Sequence, residues 1–296
     1  MTLLRRLFDT LQPAAQPGRP AALRVAVGIY SAVHNASRRR MFRDLHRQDP
    51  RRFKPVGPVR ALRKPLPPRV ADALFDLAQV TNAAHTLGLA HRVTGPLNAA
   101  LQVWTLSYRN SWGMILHNDN TMVLHQVVLG LGPSADALSV DNLVRRVGLW
   151  PTHCSRAYGA VAPTMNLATA AVYLLSGIAK VRSPMGWRWA GGRSLREQIA
   201  ADAIRKNLFG EDAPTLAPLA HRSGDAIGVL AAGALVIELG APLALADRRL
   251  GRLFSLAALG MHWGIFAIMG IKFQYNMSGM AYLSFFPIGP QAPLPR

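Results

Sequence analysis

Among its 296 residues the chain has one cysteine, Cys154. A lone thiol makes neither an internal disulfide nor a cysteine-built zinc site, so neither staple holds this fold. Charge is sparse as well: 17% of the residues are charged, against 50% that are hydrophobic. What charge there is leans one way, with 34 Lys and Arg facing 15 Asp and Glu, a formal net charge of +19. In a soluble chain that surplus would point to nucleic acid. Here the basic residues flank apolar stretches and no nucleic-acid motif is present, so nucleic acid is set aside as a partner. Anionic membrane lipids and the bias of Lys and Arg toward cytoplasmic loops account for the surplus more simply. Also missing are HExxH, a paired-carboxylate metal site, GxSxG and a P-loop. Those absences remove the metalloprotease, serine-hydrolase and nucleotide-hydrolase readings, and no metal is expected. The opening "MTLLRRLFDTLQPAAQPGRP" has too short an apolar run, and no clean small-residue site follows it, for a cleavable signal peptide. The first membrane segment is therefore expected to stay in the mature protein.

What is present is alternation. Long stretches almost free of charge are separated by short ones crowded with arginine, the pattern of a polytopic helical membrane protein. Residues 1–20 read as an N-terminal lead, 21–290 as one transmembrane domain and 291–296 as a tail. Candidate spans are 21–37, 70–90, 95–116, 121–138, 159–180, 224–246, 251–271 and 275–289, with a break in the fourth near Gly132 and Pro133. The first carries Arg24 and is short for the roughly 20 apolar residues that cross a bilayer. Two loops, 38–69 and 181–223, are too rich in arginine and other polar residues to lie in hydrocarbon, and the second holds a helix over about 194–208. The expectation is an all-α fold, a polytopic bundle of about 7–8 transmembrane helices, because backbone groups in lipid must be satisfied within the segment. With four spans between them the two loops fall on one side, and their arginines place that side in the cytoplasm.

An ionisable residue inside a membrane segment is costly, so it marks a partner or a cavity. Four places qualify. The stretch "YRNSWGMILHNDNTMVLH", 108–125, holds Arg109, His117, Asp119 and His125. A helix running on from 117 would put Asn118 and His125 on one face; the competing reading is a polar turn at the membrane surface. In 159–180, Asn166, Tyr173, Gly177 and Lys180 are spaced by seven, four and three, one stripe of a helix. The stripe offers a hydroxyl, a gap for close approach and an amine. Lys180 is either a desolvated lysine able to act as a base, or a snorkelling anchor with Trp187 and Trp189 as belt aromatics; spacing alone favours the anchor. Glu238 in "GALVIELGAPLAL" needs a proton or a partner, with Arg109 or a histidine as candidates. His262 is a lone histidine on an apolar helix, more often a hydrogen-bonded core residue than a ligand.

In order, "AALRVAVGIY", "LSYRNSW" with its Asn/His turn, "SVDNL", "VYLLSGIAKV…W…GRSL", "ALVIELGAPL" and "LGMHWGIFAIMGIKF" resemble the membrane domain of the vitamin K-dependent gamma-carboxylase family, the HTTM proteins. The likeness covers about residues 20 to 290. It implies a lyase-type carboxylase or epoxidase in which a lysine deprotonates a reduced quinone of the vitamin K or menaquinone type. Oxygen then gives the quinone epoxide, and the strong base so formed opens the way to carboxylation of a glutamate. Lys180 stands at the lysine position and His262 at the late histidine, while His117, Asn118 and Asn120 compete for the histidine after Ser-Trp. Tyr173, Gly177 and Trp187 would line the ring site, with Asn118 near the quinol oxygens. Carboxylases of the family add a large soluble region that engages the peptide; the sequence ends at Arg296 without one. The expectation is a short, bacterial-style member in the inner (cytoplasmic) membrane that uses another substrate, only oxidises a quinol, or takes the missing region from a partner protein. The family's lysine side faces away from the cytosol, whereas the arginine bias points the other way. The alternative to an enzyme is a non-catalytic membrane protein that binds a quinone or lipid or scaffolds a partner. Inverted repeats or paired broken helices, which would favour a transporter, are not seen.

Overall fold

The computed structural model describes residues 12–113, 118–210, 212, 214 and 216–289. Among these residues the fold is all-helical, and the one extended pairing is an isolated bridge between Ala15 and Ser155. The helices are α1 (Gly18–Ser37), α2 (Arg39–Leu45), α3 (Pro68–Leu87), α4 (His91–Asn110), α5 (Asn120–Leu131), α6 (Val140–Val144), α7 (Arg156–Val181), α8 (Arg193–Leu208), α9 (Ala217–Arg222), α10 (Gly224–Gly240), α11 (Arg248–Met269) and α12 (Gln274–Met277). Three helical runs are long and apolar enough to cross a membrane: α7, α10 with the 3-10 turn that extends it to Leu245, and α11. Helices α1, α3 and α4 have 20 residues each but are more polar, and α5 is apolar but has only 12. The expected last span, 275–289, is not one helix. It divides into α12 and a 3-10 turn, Met280–Phe285, on either side of Gly279, whose φ of +79° breaks the helical path.

The chain forms two compact units, residues up to Met165 with 286 onward, and Asn166–Phe285. In the first, α1 packs on α3 and α5, and α4 packs on the same two, so four helices close a ring. Helices α4 and α5 touch backbone to backbone: a Cβ on Gly95 would strike the Gly130 carbonyl, and one on Gly130 the Gly95 carbonyl. Small residues at a helix crossing permit that approach. Helix α3 stops at Gly88, in the left-handed region at φ +65°, where the amides of Gly88 and Leu89 donate to the carbonyls of His85 and Ala84.

Arg24 lies fully buried at the centre of this unit. Its guanidinium donates to the carbonyls of Thr86 (3.2 Å), Ala137 (3.3 Å), Ser134 and Leu138. These are carbonyls at the end of α3 and in the turn after α5, which no helix ladder satisfies, so one cation closes two chain ends. "SVDNL" supplies the matching joint. The Asp141 carboxylate accepts from the amides of Ala90 (2.8 Å) and His91 (3.1 Å) at the start of α4. Burial pushes that carboxyl up, but the two amides outweigh it and hold it below the usual range. Ser139 caps α6, and Asn142 donates to the carbonyls of Asp136 and Gly148. The motif is thus a helix-capping joint.

In the second unit α10 and α11 form a hairpin through the 3-10 turn Ala241–Leu245. The C-terminal part of α7 and the 3-10 turn Gly186–Gly191 lie along α10: Gly177 meets Glu238 and Leu239, Trp189 packs on Ala231 and Leu235, and Gly192 lies against the backbone of Gly228. Helix α8 then packs where α10 begins and α11 ends, through Ile199, Ile227, Ile268 and Met269.

Candidate functional site

The second unit gathers most of the residues singled out in its stretch of sequence. Lys180, at the last turn of α7, donates to both oxygens of Glu238 on α10, at 2.5 and 2.7 Å. The expected partners of Glu238 were Arg109 or a histidine, and the partner is Lys180 instead. A lysine at a helix C-terminus is favoured by the local dipole, and the carboxylate completes its neutralisation. Gly177 makes the pairing possible. A Cβ there would lie 3.0 Å from Glu238 Cβ and 2.9 Å from Leu239 Cδ2, closer than side chains pack. The Lys180 ammonium also sits 5.2 Å from the ring centre of Trp189. Trp189 is the buried indole of the pair; Trp187, the expected ring-lining residue, is 68% exposed.

Two turns back on α7, Tyr173 is buried in a hydroxyl cluster. Its hydroxyl is 2.5 Å from the Tyr282 hydroxyl and 3.4 Å from His262 Nε2, and it accepts from Asn276 Nδ2 at 3.1 Å. Asn276 also donates to Tyr282 at 3.3 Å. The Tyr173 ring stacks on His262, with 5.9 Å between centres, and meets Phe254 edge-on. Tyr282 and Asn276 were not singled out in the sequence. Asn276 was signalled by the polar "QYN" inside an otherwise apolar end segment, whereas Tyr282 stands among apolar residues in "AYLSFF" with no such mark. Such a cluster can bind a phenolic or carbonyl oxygen through hydroxyl, amide and imidazole groups, and it can carry a proton among them.

The polar turn after "RNSW" belongs to the first unit. Asp119 accepts from His34 (3.1 Å), Arg38 (3.0 Å) and Arg109, all largely buried except Arg38. Asn118 accepts from Arg109 at 3.5 Å, and Asn120 opens α5. Because α5 starts at Asn120, Asn118 does not share a helical face with His125; His125 donates to the Met165 carbonyl at 3.2 Å. His117 lies outside the described residues. Among the described residues no group of three or more His, Cys, Asp and Glu could hold a metal. No protein-family model, curated protein or solved structure matches the chain.

Proposed function

We propose that the protein is an integral membrane protein of about 7–8 spans, in a bacterial inner membrane, that uses a reduced quinone as substrate, with Lys180 as general base. The observation that carries this reading is the Lys180–Glu238 pair on the same face of α7 as Tyr173, about 10 Å along the helix by its rise per residue. In the resting pair Lys180 is an ammonium. It becomes a base when its proton passes to Glu238, leaving a neutral amine beside a neutral acid. The amine then takes the hydroxyl proton of the quinol. Tyr173, Tyr282, Asn276 and His262 hold the far quinol oxygen by hydrogen bonds, leaving the other toward Lys180, and Trp189 packs beside the amine. The family resemblance supplies the substrate class and the order of motifs. The ion pair also favours a second reading, a non-catalytic protein that binds a quinone or lipid, because a bidentate carboxylate keeps a lysine charged.

The test is turnover in mild detergent with a reduced menaquinone-type quinol and oxygen, read as quinone epoxide by mass spectrometry. Wild type is expected to form epoxide, and folded Lys180→Ala none. Activity in Lys180→Ala would overturn the base. A folded wild type that binds quinone but yields no epoxide would support the second reading.

A further inference from the structure

Helix α8 has one packed apolar face and an apolar C-terminal end. The packed face, Leu195, Ile199 and Ala203, lies against Ala217, Ile227, Ile268 and Met269. Lys206 fastens the last turn, donating to the Met269 carbonyl and pairing with Asp202 at 2.8 Å. The last turn also carries Ile204 and Leu208 on its outer side, beside the exposed Arg205, and runs on into Phe209. Ile204 is 60% exposed, and Leu208 and Phe209 are each 79% exposed. A row of large apolar side chains left open on one helix marks a docking surface.

Position and charge identify what covers it. Helix α8 is fixed to the end of the hairpin where α10 begins and α11 stops, and both arms of that hairpin are apolar enough to cross a membrane. The end of a membrane hairpin lies at the headgroup layer, and so does a helix packed on it. Exposed cations stand at the same end, Arg222 just before α10 and Lys272 just after α11. Large apolar side chains exposed at the end of a helix, with cations at the same depth, suit the boundary between headgroups and acyl chains. We propose that Ile204, Leu208 and Phe209 insert into the headgroup–acyl boundary of an anionic leaflet, with Arg222 and Lys272 on the lipid phosphates. The lipid, rather than a protein groove, is the occupant because these side chains sit where hydrocarbon and phosphate meet.

The measurement uses the full-length protein with Cys154→Ser, reconstituted into vesicles of phosphatidylcholine and phosphatidylglycerol. A nitroxide on Leu208→Cys reports its collisions with oxygen, which concentrates in the acyl region, and with a water-soluble nickel chelate. Oxygen is expected to dominate, placing the label about 5–10 Å below the headgroups. Dominance of the nickel chelate would show a solvated face, and exclusion of both probes would show a protein contact; either overturns the proposal. Ile204→Cys serves as a second labelling site should Leu208→Cys fold poorly. Arg222→Glu with Lys272→Glu is expected to make the label shallower in phosphatidylglycerol vesicles but not in pure phosphatidylcholine. An unchanged depth would overturn the role of the phosphates. Quinol turnover does not enter these readings, so this surface and the base Lys180 stand or fall separately.

Discussion

In the first unit one carboxylate, Asp119, is shared by His34, Arg38 and Arg109, whereas in the second one carboxylate, Glu238, faces the single cation Lys180. The first unit also buries Arg24 on backbone carbonyls and a chain of amides, Gln102 to Asn98 to Gln126. Its polar groups sit on several helices and close on one another, so they define which helix meets which. In the second unit the polar groups concentrate at Lys180–Glu238 and at the Tyr173 cluster, within helices otherwise apolar enough to cross a bilayer. Buried polar groups spread over an interface act as structure. The same groups isolated in an apolar setting are candidates for chemistry.

The comparison breaks most severely at Arg24. Arg24→Ala strips the carbonyls of Thr86, Ser134, Ala137 and Leu138 of their shared donor at once. Each buried acceptor left unpaired costs about 1–3 kcal/mol, so the substitution is expected to exceed about 3 kcal/mol in total. The readout is thermal unfolding in detergent, together with loss of the monodisperse fraction. A variant that stays as stable as wild type would show that these carbonyls find other donors and that the first unit does not depend on Arg24.

The two carboxylates give the sharper comparison. Asp119→Asn strands the guanidiniums of Arg38 and Arg109, removes the acceptor of His34, and is expected to cost about 3 kcal/mol. Glu238→Gln strands one cation, and because the Lys180 side chain keeps 26% of its exposure the cost falls to about 2 kcal/mol. Replacing both partners, Lys180→Met with Glu238→Leu, should recover most of that stability, since an apolar pair carries no desolvation cost. Paired unfolding curves test the order. A Glu238 variant costlier than the Asp119 variant would make the second unit's pair the structural one and weaken its case as a reactive site.

How much of this was legible in the sequence depended on distance along the chain. The helix expected at 159–180 is α7, Arg156–Val181, because a long apolar run with one polar stripe has only one way to fold in lipid. The partnership of Lys180 with Glu238 was hidden, since the two lie 58 positions apart and either could have met another ion. Trp187 and Trp189 differ only in which way a 3-10 turn points them, and no periodicity states that. The segment 275–289 was apolar enough to pass for a span, yet a single left-handed glycine divides it, and composition does not record one residue's φ. Arg109 and Asp119 were singled out together in one short stretch, but His34 and Arg38, which complete their network, come from α1 and the residue after it.

The smallest expected effect lies just after α2, at His46. It is buried, with Nδ1 2.8 Å from Asp72 Oδ1 and its ring edge-on to Tyr108. Burial pushes the imidazole below its usual value of 6.5, and the pull of the Asp72 carboxylate does not make up the difference. The folded protein therefore binds this proton less readily than the unfolded chain. Stability contributed by the neutral ring is complete above the unfolded value and is lost as pH falls through 6.5 toward the depressed native value. Melting temperature should thus decline as pH falls below about 6.5 toward the depressed native value. In His46→Gln the decline should flatten, because that side chain has no proton to gain. A slope unchanged by the substitution would assign the titration to another group.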